Sequence, residues 1–159
     1  MIIAGTGHRP KYCPCKYKED HPWLIELKSR LNQQLRSYDF DSVISGMALG
    51  WDLWLAEEAM KVGIPVCAYV PFEGQGEAWP TKSRERYKKV LDKCETVLYL
   101  STDYHERVFL DRDDKMIEDC DTVFALYNPV VKSGGTYYTY KKALKSKKNV
   151  INFWYEDDK

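Results

Sequence analysis

The sequence predicts an α/β fold in which a single domain carries a doubly wound, mainly parallel sheet with helices on both faces. Three observations predict it. Short β-favouring apolar runs alternate with amphipathic segments of helical period about five times. Runs such as Ile64–Val70 and Thr122–Tyr127 are nearly continuously apolar, so these strands need cover on both faces. Glycines and small polar residues gather directly after the runs, where the strands of such a sheet end.

In chain order, Met1–Ala4 is the first strand, ended by Gly5-Thr6-Gly7. Residues 8–21 contain Pro10, Pro14, Cys13, Cys15 and three lysines, and read as a surface loop, long for a strand-to-helix connection. Pro22 opens a helix in which Trp23, Leu24, Leu27, Leu31 and Leu35 follow helical spacing. Ser42–Ser45 is the second strand, stopped by Gly46. Leu53–Val62 is a helix with Leu55, Ala56, Ala59 and Met60 on its apolar face, closed by Gly63. Ile64–Val70 is the third strand and Pro71–Trp79 a loop. Ser83–Leu91 is a charged helix, Thr96–Leu100 a strand, and Tyr104–Cys120 a helix with an expected break at the acidic run Asp111–Asp114. Thr122–Tyr127 is a strand, Ser133-Gly134-Gly135-Thr136 leads into a helix ending at Ser146, and Asn149–Trp154 is the last strand. Residues 1–155 thus read as one Rossmann-like ligand-binding domain and 156–159 as a short polar tail.

Composition narrows the function. The 159 residues are 44% apolar and 30% charged, enough to bury a core without staples. Twenty-four basic residues balance twenty-four acidic ones, which argues against a general polyanion binder. Neutrality still permits one small anion held by backbone amides. No apolar run has the length of a membrane helix, and the first residues lack the basic and apolar regions of a signal peptide. The five cysteines are odd in number and irregularly spaced. Cys67, Cys94 and Cys120 read as buried thiols, so a reducing, cytoplasmic location is expected. Cys13 and Cys15, near His8 and His21, lack the second cysteine pair of a zinc site; no metal and no cofactor is expected.

The strand ends carry the candidate chemistry. Gly7 and its neighbours are not the dinucleotide fingerprint, because Pro10 stands where the third glycine belongs, and a Walker A lysine motif is absent. His8 offers a donor or proton carrier and Arg9 a bidentate phosphate grip. Ser45, Gly46 and Gly50 let backbone approach a ligand, and amides at the following helix start would favour an anion. Asp52 reads equally as the cap of that helix or as a ligand-facing carboxylate. Glu57 lies on a neighbouring helical face and is more simply a solvated residue. Gly134, Gly135 and Thr136 form the best phosphate cradle, a nest of N–H groups at a helix start. Phe72, Gln75 and Trp79 would border a base by stacking and polar contact, with Trp79 equally a core anchor. Arg112 either reaches a phosphate or pairs with its acidic neighbours.

Taken together, GTGHRP at 5–10, SGMALGWDLWLAEEA at 45–59, VPFEGQGEAWP at 70–80 and SGGT at 133–136 resemble the YpsA-type, DUF1273-like branch of the SLOG superfamily. The resemblance runs along nearly the whole chain in order. It implies a Rossmann-like sheet and a nucleotide or nucleotide-derived ligand. The superfamily includes the LOG phosphoribohydrolases, the DprA recombination mediators and members linked to bacterial or phage conflict systems. LOG enzymes carry a catalytic glutamate three residues after the threonine of PGGxGTxxE. Here Gly134-Gly135-Thr136 is similar to the phosphate-binding part, but that third residue is Thr139. The resemblance then implies a carboxylate from elsewhere, Asp52 or Glu57, with Arg9 or Arg112 on the phosphate. SGMALGWD is also similar to the SGxAxGxD segment of DprA.

Three functions follow as expectations. The first is binding or sensing of a phosphate-bearing nucleotide or derivative. The second is an N-glycosidase releasing a base from a nucleotide, with Asp52, Glu57 and Arg9 as catalytic candidates. The third is a single-strand DNA-binding recombination accessory, which needs a continuous basic and aromatic track. No membrane partner is expected, and a homo-oligomer stays open.

Overall fold

Side-chain alternation along the strands divides the molecule into two packed layers. A computed structural model describes residues 1–156; residues 157–159, most of the expected polar tail, lie outside the described residues. The chain runs β1 (Ile2–Gly7), a 3-10 turn (Pro10–Tyr12), α1 (Pro22–Arg36), β2 (Ser42–Ser45), α2 (Trp51–Lys61) and β3 (Val66–Val70). It continues through α3 (Thr81–Asp92), β4 (Thr96–Tyr99), α4 (Val108–Asp119), β5 (Thr122–Leu126), α5 (Gly135–Lys145) and β6 (Asn149–Asn152). The six strands form one sheet in the order β4-β3-β2-β1-β5-β6, and every pair is parallel. The fold is therefore α/β and Rossmann-like, with an entirely rather than mainly parallel sheet.

Because successive Cβ atoms point to opposite faces, each strand feeds both layers. Ile3, Val43, Val66, Ala68, Phe124 and Leu126 join the larger core with α1, α2 and α3. Ala4, Ile44, Val123 and Ala125 face Met116 and Ile117 of α4 and Ala143 of α5. Helix α2 is central to the larger layer. Trp51, Leu53, Trp54, Leu55 and Ala56 are all buried, so this helix lacks a broad polar face.

Several boundaries depart from the sequence expectation. Gly5-Thr6-Gly7 lies inside β1 rather than ending it. A Cβ at Gly5 would sit 2.5 Å from Leu55 Cδ2, and one at Gly7 2.5 Å from Trp51 Cβ. These glycines let α2 cross directly against the strand. The expected break in α4 is absent, because its acidic run spreads around the helix to separate partners. Asp111 meets Arg107, Asp113 meets Arg112, and Asp114 meets Lys142. The 8–21 segment is not simply a surface loop: Cys13 and Cys15 are buried in the larger core, and their thiols donate to the carbonyls of Arg9 and Lys16. Its far end is tied down where Trp54 Nε1 donates to Glu19 and where Arg86 bridges Glu19 and Glu57. Cys120 is buried as expected, whereas Cys67 and Cys94 are half-buried; all five cysteines are free. Among the described residues, no helix is long and apolar enough to cross a membrane.

Candidate functional site

Strand β1 sits between β2 and β5, so the chain reverses its direction of travel across the sheet there. Such a reversal opens a crevice at the carboxyl ends of the two strands, where ligands of doubly wound sheets bind. A recess of about 500 Å³ occupies that position. Thr6, Gly7, His8 and Arg9 enter it from the end of β1, Tyr12 from the 3-10 turn, and Ala48 and Asp52 from the β2–α2 junction. Phe109, Arg112 and Asp113 come from α4, and Val131 with Ser133 to Thr136 from the β5–α5 connection.

The N-terminus of α5 opens into this space. Its cap is Gly134, at a left-handed φ of +92°, and no side chain caps the helix. The first helical hydrogen bond runs from Tyr138 N to Gly134 O, leaving the amides of Gly135, Thr136 and Tyr137 without an acceptor among the described residues. A Cβ at Gly134 or Gly135 would meet nothing within 4 Å. Unpaired amides at the positive end of a helix dipole are able to receive an anion. The start of α2 differs. Trp51 N donates to His8 O at 3.3 Å, and a Cβ at Gly50 would lie 2.6 Å from that same carbonyl. Gly50 therefore serves the close approach of two backbones.

Opposite α5 lies a buried charged group. Asp52, 8% exposed, occupies the first turn of α2, where its Oδ2 accepts from Ala48 N at 3.2 Å. The cap of that helix is Gly50, so Asp52 is not the cap residue. Arg112, 5% exposed, donates from Nη1 to Gly46 O at 2.7 Å and from Nε to Asp113 at 2.6 Å. The other oxygen of Asp113 accepts from Thr139 Oγ1 at 2.9 Å. Burial pushes the Asp52 carboxyl up to about 6, against the pull of Arg112 and with the help of Asp113. His8 Nε2 accepts from Asn128 N at 2.9 Å, and burial lowers its pKa. This histidine is accordingly a neutral acceptor that pins the β5 exit, rather than a cation facing phosphate. The Arg9 side chain has no hydrogen bond or ion pair among the described residues and is half-buried at the rim.

Of the residues singled out by sequence, the recess gathers Gly7, His8, Arg9, Asp52, Arg112, Gly134, Gly135 and Thr136. It does not gather the others. Ser45 Oγ donates to Asp52 O and accepts from Met47 N, and Gly46 O is taken by Arg112 and Gln75, so these groups brace the floor from behind. Phe72 packs on Tyr104 and Phe109, and Trp79 edges onto Tyr87. Glu57 pairs with Arg86 on α3, away from the recess. Tyr12 stood out in the sequence only as part of the basic loop Lys11–Lys18, where with Tyr17 it reads equally as a nucleic-acid contact or as loop solubility, and Phe109 was missed because nothing in its local sequence marks it. Asp113 carried a weak signal as the neighbour of Arg112.

Comparison with known proteins agrees with this architecture. The family model described as the YspA SLOG family matches residues 3–155. A UPF0398 protein of Bacillus velezensis is 29% identical over 147 residues, covering 86% of this chain and 80% of the relative. A UPF0398 protein of Oceanobacillus iheyensis is 23% identical over 157 residues, covering 93% and 84%. Among solved structures, the DNA processing protein A of Helicobacter pylori, described with a single-stranded DNA binding mode, superposes with a TM-score of 0.67 at 20% identity. That match covers 94% of this chain and 63% of the other. The Streptococcus pneumoniae DprA gives 0.63 at 15% identity, and here the chain spans 48% of its neighbour's length. At these identities the structural likeness is one of fold.

Proposed function

The chain belongs to the YpsA family of SLOG proteins, and from that membership and the recess at β1 and β5 we propose that it binds a phosphate-bearing nucleotide or nucleotide derivative. One observation carries the reading: the uncapped N-terminus of α5, with three unpaired amides, faces a recess whose rim holds the unpaired Arg9. The phosphate rests on Ser133–Thr136, where Arg9 adds a charge-assisted contact. The sugar lies across β1 toward Asp52, and Phe109 and Tyr12 offer apolar surface to a base. A recess of about 500 Å³ is of the size that small ligands use.

The test is a nucleotide-library screen read by mass spectrometry, repeated on Gly135→Asp. Position 135 is open, and an acidic residue in a first helical turn favours the helix by roughly 0.3–1 kcal/mol. The variant keeps its fold while a carboxylate occupies the cradle, so ligand capture is expected to fall at least tenfold with melting temperature unchanged or raised. Unaltered capture removes the cradle from the site.

A second reading, release of the base by an N-glycosidase, is favoured by Asp52. A carboxyl held near 6 takes and returns a proton close to neutrality. In this step water attacks the anomeric carbon, the carbon–nitrogen bond breaks, and the departing base gains a proton. The LOG-type glutamate is replaced by Thr139, yet Thr139 holds Asp113, so α4 delivers a carboxylate to that neighbourhood. Free base in the screen, abolished by Asp52→Asn, identifies turnover; bound and unchanged ligand identifies sensing.

A further inference from the structure

A second recess adjoins the first and is built from different chemistry. It also encloses about 500 Å³, and Ser133 and Gly134 line both, so the α5 cradle is their common wall. Beyond that wall, Lys132, Lys141, Lys142 and Lys145 line the second recess together with Tyr137 and Tyr138. No acidic side chain lines it. Asp114, which does not line the recess, pairs with Lys142 at 2.6 Å and accepts from Tyr138 Oη at 3.2 Å, whereas Lys132, Lys141 and Lys145 have no ion pair or hydrogen bond among the described residues. The chain as a whole is neutral, with twenty-four charges of each sign, so this is a local concentration of cations.

Lysines near a helix C-terminus complement its dipole, and that accounts for Lys142 and Lys145 as helix residues. It does not account for Lys132, which lies before the helix begins, nor for a concavity continuous with the phosphate cradle. Lysines interleaved with aromatic rings are the surface on which successive nucleotides rest, phosphates on the ammonium groups and bases on the rings.

Resting on the ligand reading above, we propose that the second recess holds a second phosphate-linked nucleotide unit, joined to the one seated in the first recess. The protein's preferred ligand is then a dinucleotide or the end of a strand, not a mononucleotide. Tyr137 and Tyr138 receive the second base, while Lys141 and Lys145 meet the phosphate that the second unit adds.

The test compares a thymidine mononucleotide, a phosphodiester-linked thymidine dinucleotide and a pyrophosphate-linked dinucleotide, measured by calorimetry on the full chain and on the Lys141→Gln/Lys145→Gln variant. Glutamine is a good helix former, so the double change leaves the fold intact. At least one dinucleotide is expected to bind tenfold or more tighter than the mononucleotide. The added phosphate steepens the slope of log affinity against log salt by about 0.7. In the variant the gain disappears and mononucleotide affinity is unchanged. The linkage giving the larger gain shows whether the second unit comes from a strand or a free dinucleotide. Equal affinity for all three ligands overturns the second subsite but leaves the first recess standing. A gain that survives the variant also overturns it. Failure of all three to bind overturns the second subsite for thymidine units, and failure of the whole nucleotide library removes the phosphate reading itself.

Discussion

Exchanging Asp52 for asparagine deletes a charge that the folded chain holds at a cost. The carboxyl is 8% exposed and displaced from an ordinary 3.8 to about 6. That displacement corresponds to about 3 kcal/mol, since a tenfold change in proton affinity is about 1.4 kcal/mol. Its direction follows from linkage. The native state binds the proton more tightly than the unfolded chain, so the stabilising contribution is complete below 3.8. It drains away as the pH rises through about 6, and above that the buried anion weighs against folding. The amide retains an acceptor for Ala48 N but carries no charge. Urea unfolding at about pH 8 should show Asp52→Asn more stable than the parent by up to about 3 kcal/mol, and at about pH 3.5 the two should agree within roughly 0.5 kcal/mol. A difference that does not change with pH refutes the reasoning. So does a variant less stable at the higher pH, which would mean that attraction to Arg112 outweighs burial.

Gly7→Ala should lower stability by roughly 1–3 kcal/mol by thermal unfolding, because its Cβ would press 2.5 Å from Trp51 with α2 unable to retreat from the core. Arg112→Met, similar in bulk but uncharged, strips the cation from Asp113 and the donor from Gly46 O, and should cost about 3–5 kcal/mol in urea. Asp113→Asn made together with it should recover part of that loss. His8 should titrate below its ordinary 6.5 in a pH series followed by NMR, with the Asn128 amide signal moving in step as Nε2 ceases to accept. Its folded pKa is depressed, so the stability it contributes is present above 6.5 and lost as the pH falls through the folded value.

The elements were legible because period and burial speak locally. Ile3 and Ala4 alternate between layers as strand residues must, and Trp23, Leu24, Leu27, Leu31 and Leu35 line one helical face. Gly134-Gly135-Thr136 was legible because a glycine pair before a helix carries no side chain to cap or cover its first amides. Strand order was not legible, and it decides the rest. Phe72, Gln75 and Trp79 follow β3, which pairs with β2 and β4, two places from β1, so their loop misses the crevice between β1 and β5. Glu57 went to Arg86 because rotation about α2 turns it toward α3, a fact set by packing of the whole layer. Phe109 reaches the recess only because α4 returns across the sheet to lie near β1.

The position of β1 also orders events in time. Its partner β2 lies about forty residues downstream, but Ile3 must wait for Thr122 before its other edge is paired. A growing polypeptide can thus assemble four neighbouring strands on the ribosome while still lacking both the far wall of the crevice and the helix end proposed to receive the anion. Contacts so distant in sequence form slowly. A ligand selective for the finished state stabilises it by mass action, roughly 2.7 kcal/mol at a hundredfold excess over Kd. Occupancy would then report that synthesis has run through α5 and that the last third of the chain has docked.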